Sequence, residues 1–304
     1  MKLSQAPFGT SRDQKAVSLY TLSNARGMTV EICNIGCSIV SVKVPDRDGN
    51  SVDVALGYDT VPEYEANPSA FGAVTGQFAA RIRRGQYQWN GKTVQLELNE
   101  GKNNIHGGSN GFATVTGTVS RQRRKAALSA FQPDGDSGFP GDLTVVITYT
   151  LTDDNTLVWE SEASTDGNHL LSDQPQLFQP GGYASGSVLE QQLTILRPVF
   201  RGKRANLPHR AHSCVEDTPF DFRAGKLIGT GLQEEDDGRQ LAMAHGYDHC
   251  FVLDKQPGQL ALAAKAYAYK TGICMEVFTT QPGMQLYTGN FLSQDGVDAK
   301  RAAR

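Results

Sequence analysis

Four short clusters in this chain combine side chains that move protons or grip hydroxyl groups. Asn103-Asn104-Ile105-His106-Gly107-Gly108 sets an imidazole beside two glycines, which let a ligand approach the backbone closely. Gly246-Tyr247-Asp248-His249 sets a carboxylate beside a second imidazole. Gln281 to Asn290 is polar and flanked by aromatics, and Asp134 to Gly141 is a dense run of turn residues that opens a strand. Arg81, in Ala80-Arg81-Ile82, adds a guanidinium. An imidazole and a carboxylate are the usual side chains of general acid–base catalysis. Each cluster also has a plain structural reading. His106 can be bonded inside its own turn, Asp248-His249 can be a solvated pair or a strand-end cap, and Arg81 can pair with a surface carboxylate. The Asp134 loop can be turn chemistry alone. On residue types both readings stand.

Other chemistries are poorly served. There is no phosphate-cradling Walker loop and no nucleophile elbow, and the glycines after His106 lack the βαβ setting of a dinucleotide fingerprint. Cys33 and Cys37 have no second Cys/His pair nearby to complete a zinc site, and His209-Arg210-Ala211-His212 has no evident third ligand. The expectation is no metal and no cofactor. A net charge of -3 gives no general attraction to nucleic acid or anionic membrane. The basic runs Arg81 to Arg84 and Arg121 to Lys125 lack interleaved aromatics and read as solvated strand faces or turns. No apolar run approaches the ~20 residues of a membrane span, and the N-terminus lacks the apolar core of a signal peptide. Five scattered cysteines fit free thiols in a reducing, cytoplasmic setting.

The elements that must position these clusters are strands. Val40, Val42 and Val44 alternate with Ser41 and Lys43 before the turn cluster Pro45 to Asn50, and Val52 to Leu56 follows. Gln86 to Trp89, Asn90-Gly91, then Thr93 to Leu98 reads as a hairpin, because Asn-Gly tolerates the positive φ angles of a type I′ turn. Leu143 to Leu151 and Leu157 to Trp159 flank Asp153-Asp154-Asn155. Leu260 to Tyr269 and Ile273 to Thr279 flank Thr271-Gly272. Helical periodicity is not sustained anywhere without an interrupting Gly or Pro. With 304 residues, 39% of them hydrophobic, the chain is expected to form a single all-β domain over residues 1–304, a large antiparallel β-sandwich.

Taken in order, the clusters resemble the aldose 1-epimerase (galactose mutarotase) family. Phe71 to Gly76, Ala80-Arg81-Ile82 and Asn104 to Gly108 with Gly111-Phe112 are similar to that family's signature region. Asp134 to Gly141, Thr218 to Arg223, Gly246 to His249 and Pro282 to Asn290 are similar to further blocks. The resemblance implies a many-stranded antiparallel supersandwich and interconversion of the α and β anomers of a free hexose. In that reaction a base takes the O1 proton, an acid protonates the ring oxygen, and the ring opens and recloses on its other face. No metal or redox cofactor is needed, and the partner is a small-molecule ligand, a monosaccharide. Carried over by position, His106 is expected near the ring oxygen and Asp248 at the ring hydroxyls, and this pair is the one left to move protons. Arg81, Asn104, Gln77, Gln174 and His249 are the implied substrate-binding residues.

The chain also departs from the family pattern. Gln77 and Ala80 stand where an arginine and an asparagine are usual, and no tryptophan follows Gly111-Phe112. Ser172 to Gln179 holds no histidine at the position of the expected acid. His169 is displaced along the chain, and a further family histidine falls near Gln191. The sequence reaches Arg304 before a Leu-Glu-Thr-Gln segment, so the domain is expected to lack the family's final strands and the glutamate base they carry. Three readings follow: an epimerase of reduced activity, a non-catalytic sugar-binding or regulatory protein, or a cleft reused for acid–base isomerisation or cyclisation of a non-sugar ligand.

Overall fold

The computed structural model describes residues 2–67, 69–122, 125–166, 177–196, 198–204, 207–233 and 239–292, with backbone only for 121–122, 198–204 and 207–213. Cα packing divides the chain into two compact units, one holding residues 2–45 and 51–178 and the other 46–50 and 179–292.

Unit 1 opens with strands β1 (Lys2–Thr10), β2 (Ala16–Ser23), β3 (Thr29–Cys33), β4 (Ile39–Pro45) and β5 (Ser51–Asp53), which form a five-stranded sheet in sequence order. Every pairing is antiparallel. The alternation expected in β4 is overridden at Ser41, which is buried along with its valine neighbours. Its hydroxyl donates to Asp53 Oδ2 at 2.9 Å, and Asp53 Oδ1 accepts the Val42 N–H at 3.0 Å, so a polar residue is tolerated because both ends of its bond are satisfied. The outermost strand, β1, carries Pro7 and a register shift between Pro7 and Gly9. Helix α1 (Val61–Ala66) follows, with Tyr64 packed edge-on against Tyr58 at 5.4 Å.

Next come β6 (Arg81–Arg83), β7 (Gln86–Trp89), β8 (Lys92–Gln95) and β9 (Asn103–Ile105), pairing as β6 with β9 and β7 with β8. The β7–β8 turn has φ of 47° at Asn90 and 74° at Gly91, the two positive angles its sequence foretold. A four-stranded antiparallel sheet completes the unit: β10 (Thr118–Gln122), β11 (Lys125–Gln132), β12 (Leu143–Leu151) and β13 (Leu157–Thr165). Strand β12 buries Leu143, Val145, Ile147, Tyr149 and Leu151 on one face, with the residues between them half-exposed. Tyr149 Oη donates to the Cys37 carbonyl at 2.7 Å, with both groups buried.

Unit 2 contains β14 (Gln192–Ile195), β15 (Pro198–Arg204), β16 (Leu207–Cys214), β17 (Lys226–Leu227), α2 (Ile228–Gly231), α3 (Gln240–Ala244), β18 (Asp248–Leu253), β19 (Ala261–Tyr267), β20 (Cys274–Thr279) and β21 (Gly283–Tyr287). They form two four-stranded sheets, in the orders β17-β14-β19-β20 and β16-β15-β18-β21. Phe220, Phe222, Tyr247 and Phe251 meet edge-on in the core, joined by Leu193, Ile195 and Ala264. The Tyr247 hydroxyl donates to the Pro219 carbonyl at 2.7 Å in this apolar setting. Among the described residues no helix is long and apolar enough to cross a membrane.

Two outcomes are expected. Tyr247→Phe leaves the Pro219 carbonyl buried without its donor and lowers unfolding free energy by about 1–3 kcal/mol, measured by denaturant titration. A change well under that range would mean the carbonyl finds another donor. Burial pushes the Cys33 thiol up to about 12 against the opposing pull of its hydrogen bonds. Burial and the neighbouring Cys33 do the same for Cys37, also to about 12. Both therefore stay protonated and enclosed, and a disulfide reagent at about pH 8 should reach only Cys214, Cys250 and Cys274 in the folded chain. Denaturant should release Cys33 and Cys37.

Candidate functional site

The imidazole of His106 is held by the end of a strand and a turn that only glycine can complete. Strand β9 pairs with β6 in the register Arg81↔Ile105 and Ile82↔Asn104, then stops. His106 takes φ of 54°, followed by Gly107 at 88° and Gly108 at 93°. A Cβ on Gly107 would overlap the Gly76 carbonyl oxygen, and one on Gly111 would lie 2.6 Å from the His106 carbonyl oxygen. The turn is closed from the other side by Ala80. The His106 N–H donates to the Ala80 carbonyl at 3.1 Å, and the Ala80 N–H donates to His106 Nδ1 at 3.2 Å. An N–H aimed at Nδ1 requires a lone pair there, so the ring is held in the neutral form that carries its proton on Nε2. The turn bonding read as one alternative in the sequence is present, and the bond to Nδ1 sets the tautomer.

Arg81 meets a partner the sequence did not single out. Its Nε and Nη2 donate to the two carboxylate oxygens of Glu100, each at 2.6 Å, a bidentate fork that fixes the guanidinium plane. The side chains are 26% and 36% exposed, so solvent screens the pair and its main effect is orientation.

Two residues of this cluster that were expected to touch a ligand, Asn104 and Gln77, are enclosed. Asn104 is 0% exposed, because the pleat of β9 turns it to the same buried face as Ile82 while Arg81 and Ile105 share the other. Its Nδ2 donates to the Glu97 carbonyl at 3.0 Å, which ties β9 to the preceding loop. Gln77 is 1% exposed, enclosed beside the Gly76 peptide on which Gly107 packs. The Asp134–Gly141 loop keeps its turn reading. Its Ser137 carbonyl accepts the Glu97 N–H at 2.9 Å, and its Asp136 accepts Asn110 Nδ2 at 3.1 Å. Gln174 and His169 lie outside the described residues.

In unit 2, Asp248 begins β18 and lies opposite Tyr287 of β21. Its Oδ1 accepts Gln285 Nε2 at 2.7 Å. Alternation puts Asp248, Cys250 and Val252 on one face and His249, Phe251 and Leu253 in the core. His249, expected as a binding residue, is therefore 0% exposed, with its ring centroid 4.8 Å from that of Phe220. Its Nδ1 accepts the Asp248 N–H at 3.1 Å, so it braces the strand from the core side. Gln285 and Tyr287, which the sequence did not single out individually, share the Asp248 face. Met284 and Leu286 pack against the core, so period two alone sends Gln285 and Tyr287 to the Asp248 face. Burial pushes the Tyr287 hydroxyl up, the Phe291 N–H pulls it down, and the Asp248 carboxylate raises it further. The segment after β21 serves the backbone: Asn290 Nδ2 donates to the Ala244 and Tyr247 carbonyls, each at 2.8 Å. Among the described residues no group of three or more His, Cys, Asp or Glu side chains is arranged to hold a metal ion.

Comparison with known proteins gives a consistent result. A family described as Aldose 1-epimerase matches residues 18–303. Galactose mutarotase of Sus scrofa is 35% identical over 267 residues, which is 87% of this chain and 75% of that protein. Aldose 1-epimerase of Escherichia coli (strain K12) is 32% identical over 285 residues, 92% of this chain and 81% of that protein. Among solved structures, a GalM/aldose epimerase homologue from C. elegans superposes with a TM-score of 0.82 at 27% identity, covering 91% of this chain and 83% of its own. Galactose 1-epimerase from Lactobacillus acidophilus superposes at 0.81 and 27%, covering 96% and 84%.

The glycine turn gives a direct test. Gly107→Ala combines a strained φ with overlap on backbone and is expected to cost about 3 kcal/mol or more by denaturant titration. Gly91→Ala, at a similar φ with open space around it, should cost only about 1 kcal/mol. Equal costs would show that the Gly76 contact does not constrain the turn.

Proposed function

Because the chain belongs to the aldose 1-epimerase family, we propose that it interconverts the α and β anomers of a free hexose by acid–base ring opening. The observation that carries this reading is the bond from the Ala80 N–H to His106 Nδ1, which leaves the ring proton on Nε2. A neutral imidazole with a fixed Nε2–H donates to a ring oxygen as negative charge develops on it. In the proposed reaction the Asp248 carboxylate takes the proton from the anomeric O1 hydroxyl. The C1–O bond to the ring oxygen breaks, C1 becomes an aldehyde, and His106 Nε2–H stabilises the departing oxygen while water completes its protonation. Rotation about C1–C2 and reclosure reverse these steps on the other face, so no atom is gained or lost. Arg81, oriented by Glu100, donates to sugar hydroxyls, and Gln285 steadies the Asp248 carboxylate.

A second reading, sugar binding without turnover, is favoured by the enclosed Gln77 and by Ala80, whose side chain offers no polar group where the family pattern has an amide. Polarimetry of freshly dissolved α-D-galactose separates the two. An epimerase speeds the approach to anomeric equilibrium above buffer, and His106→Ala or Asp248→Asn lowers that rate by about 10²-fold or more. A wild-type rate equal to buffer, with saturable galactose binding by calorimetry, establishes the second reading. Neither rate nor binding would overturn both.

A further inference from the structure

The segment between β8 and β9 forms no strand, yet it grips the strand and turn that carry His106. Asn99 Oδ1 accepts the Ile105 N–H at 2.8 Å, and its Nδ2 donates to the Ile105 carbonyl at 2.9 Å. Glu97 does more. Its N–H goes to the Ser137 carbonyl and its carbonyl takes Asn104 Nδ2. Its carboxylate Oε2 accepts both the N–H of Ser109 at 2.8 Å and the Ser109 hydroxyl at 3.0 Å. Gly108 packs directly on that carboxylate, since a Cβ there would lie 2.7 Å from Glu97 Oε2 and would also overlap Ser137 Oγ. Partial burial pushes the Glu97 carboxyl up, but the Ser109 donors and the Ser137 hydroxyl outweigh it and hold it below the usual carboxylate range. It is thus an ionised acceptor at neutral pH.

We propose that Glu97 is a positioning residue for His106: by taking both donors of Ser109, its carboxylate holds the His106–Ser109 turn in the shape that keeps Nδ1 on the Ala80 N–H. The chain from His106 to Ser109 is only four residues long, with two glycines at its centre that have no side chains to restrain it. One end is fixed by β9 and Ala80. The other is fixed by Glu97. Gly107 stays against the Gly76 carbonyl without the carboxylate, but Gly108 and Ser109 lose the anchor that holds the far end of the turn, and the imidazole loses the single geometry in which Ala80 selects its tautomer. The kinetic part of this inference rests on the proposed role of His106 in anomerisation, whereas the tautomer part does not.

The test uses the whole chain with 15N-labelled histidine, comparing wild type, Glu97→Ala and Glu97→Gln. Glutamine keeps the length, accepts the Ser109 N–H through Oε1 and donates to the Ser109 hydroxyl through Nε2. In wild type and Glu97→Gln, the His106 nitrogen shifts should show one tautomer with Nδ1 unprotonated. In Glu97→Ala they should move toward an average of the two tautomers. By polarimetry, kcat for galactose should fall about tenfold or more in Glu97→Ala with KM within about threefold, and glutamine should restore it to within about threefold. If Glu97→Ala does not melt cooperatively, Glu97→Asp, one methylene too short to reach Ser109, takes its place with the same two readouts. Unchanged His106 shifts in a folded Glu97→Ala or Glu97→Asp variant overturn the proposal. Should wild type not exceed buffer in polarimetry, the epimerase reading fails by itself, and the nitrogen shifts alone decide the positioning role.

Discussion

A carbonyl oxygen pressed against a glycine is the constraint on which the His106 region depends. The Gly76 carbonyl lies where any Cβ on Gly107 would have to be, and the same oxygen accepts the Phe112 N–H at 3.3 Å. Backbone therefore packs on backbone, with no side chain between to adjust. The approach brings Ala80, four residues after Gly76, alongside His106, so its N–H and carbonyl bond to both sides of that residue. The N–H that meets Nδ1 is thus placed by a carbonyl far from the imidazole along the chain. A larger residue at Gly107 removes the spacing and with it the N–H that reads Nδ1.

Around this contact the charged residues act mostly as braces. Glu100 and Glu97 both spend their carboxylates on orienting neighbours, one a guanidinium and the other a turn. Neither pair is buried deeply enough to add much to stability, and screening by water limits what each contributes. Their worth lies in direction. The bidentate bond to Glu100 holds the Arg81 guanidinium in one plane, where a single hydrogen bond would leave it free to turn. In unit 2 the equivalent is the Gln285–Asp248 bond, where an amide diagonal to the carboxylate across the β18–β21 pair fixes its rotamer.

Much of this was legible in the sequence, and the exceptions have physical causes. Asn90-Gly91 could form its turn only with two positive φ angles, and did. The run Leu143 to Leu151 read as a strand, and β12 forms there with alternating burial despite the apolar Val146. His106 and Asp248 were singled out by the order of the family-like blocks, since by residue type alone each also had a structural reading. Asn104 and His249 take the core-facing phase of their strands: Asn104 of β9 sits opposite Ile82, and His249, next to Asp248 in β18, must face the other way from it. The alternation of Met284 and Leu286 would have identified Gln285 and Tyr287 had the phase been followed. Glu97 and Glu100 were illegible for a different reason. They act from an irregular segment, where no period relates a side chain to the strand it grips, and only the fold brings Glu97 to Ser109. Ser41 broke its pattern because Asp53, twelve residues on, answers its hydroxyl.

The first strand of unit 1 bears on how copies of this molecule behave toward one another. An outermost strand offers its free row of amides and carbonyls to any passing chain, the usual route to sheet extension and fibre growth. Here that row is interrupted. Pro7 contributes no amide hydrogen, and the register shift at Phe8 bends the strand, so an incoming strand loses its ladder partway along. A crowded solution of this chain is thereby protected at that margin by the covalent structure of one ring and one extra residue.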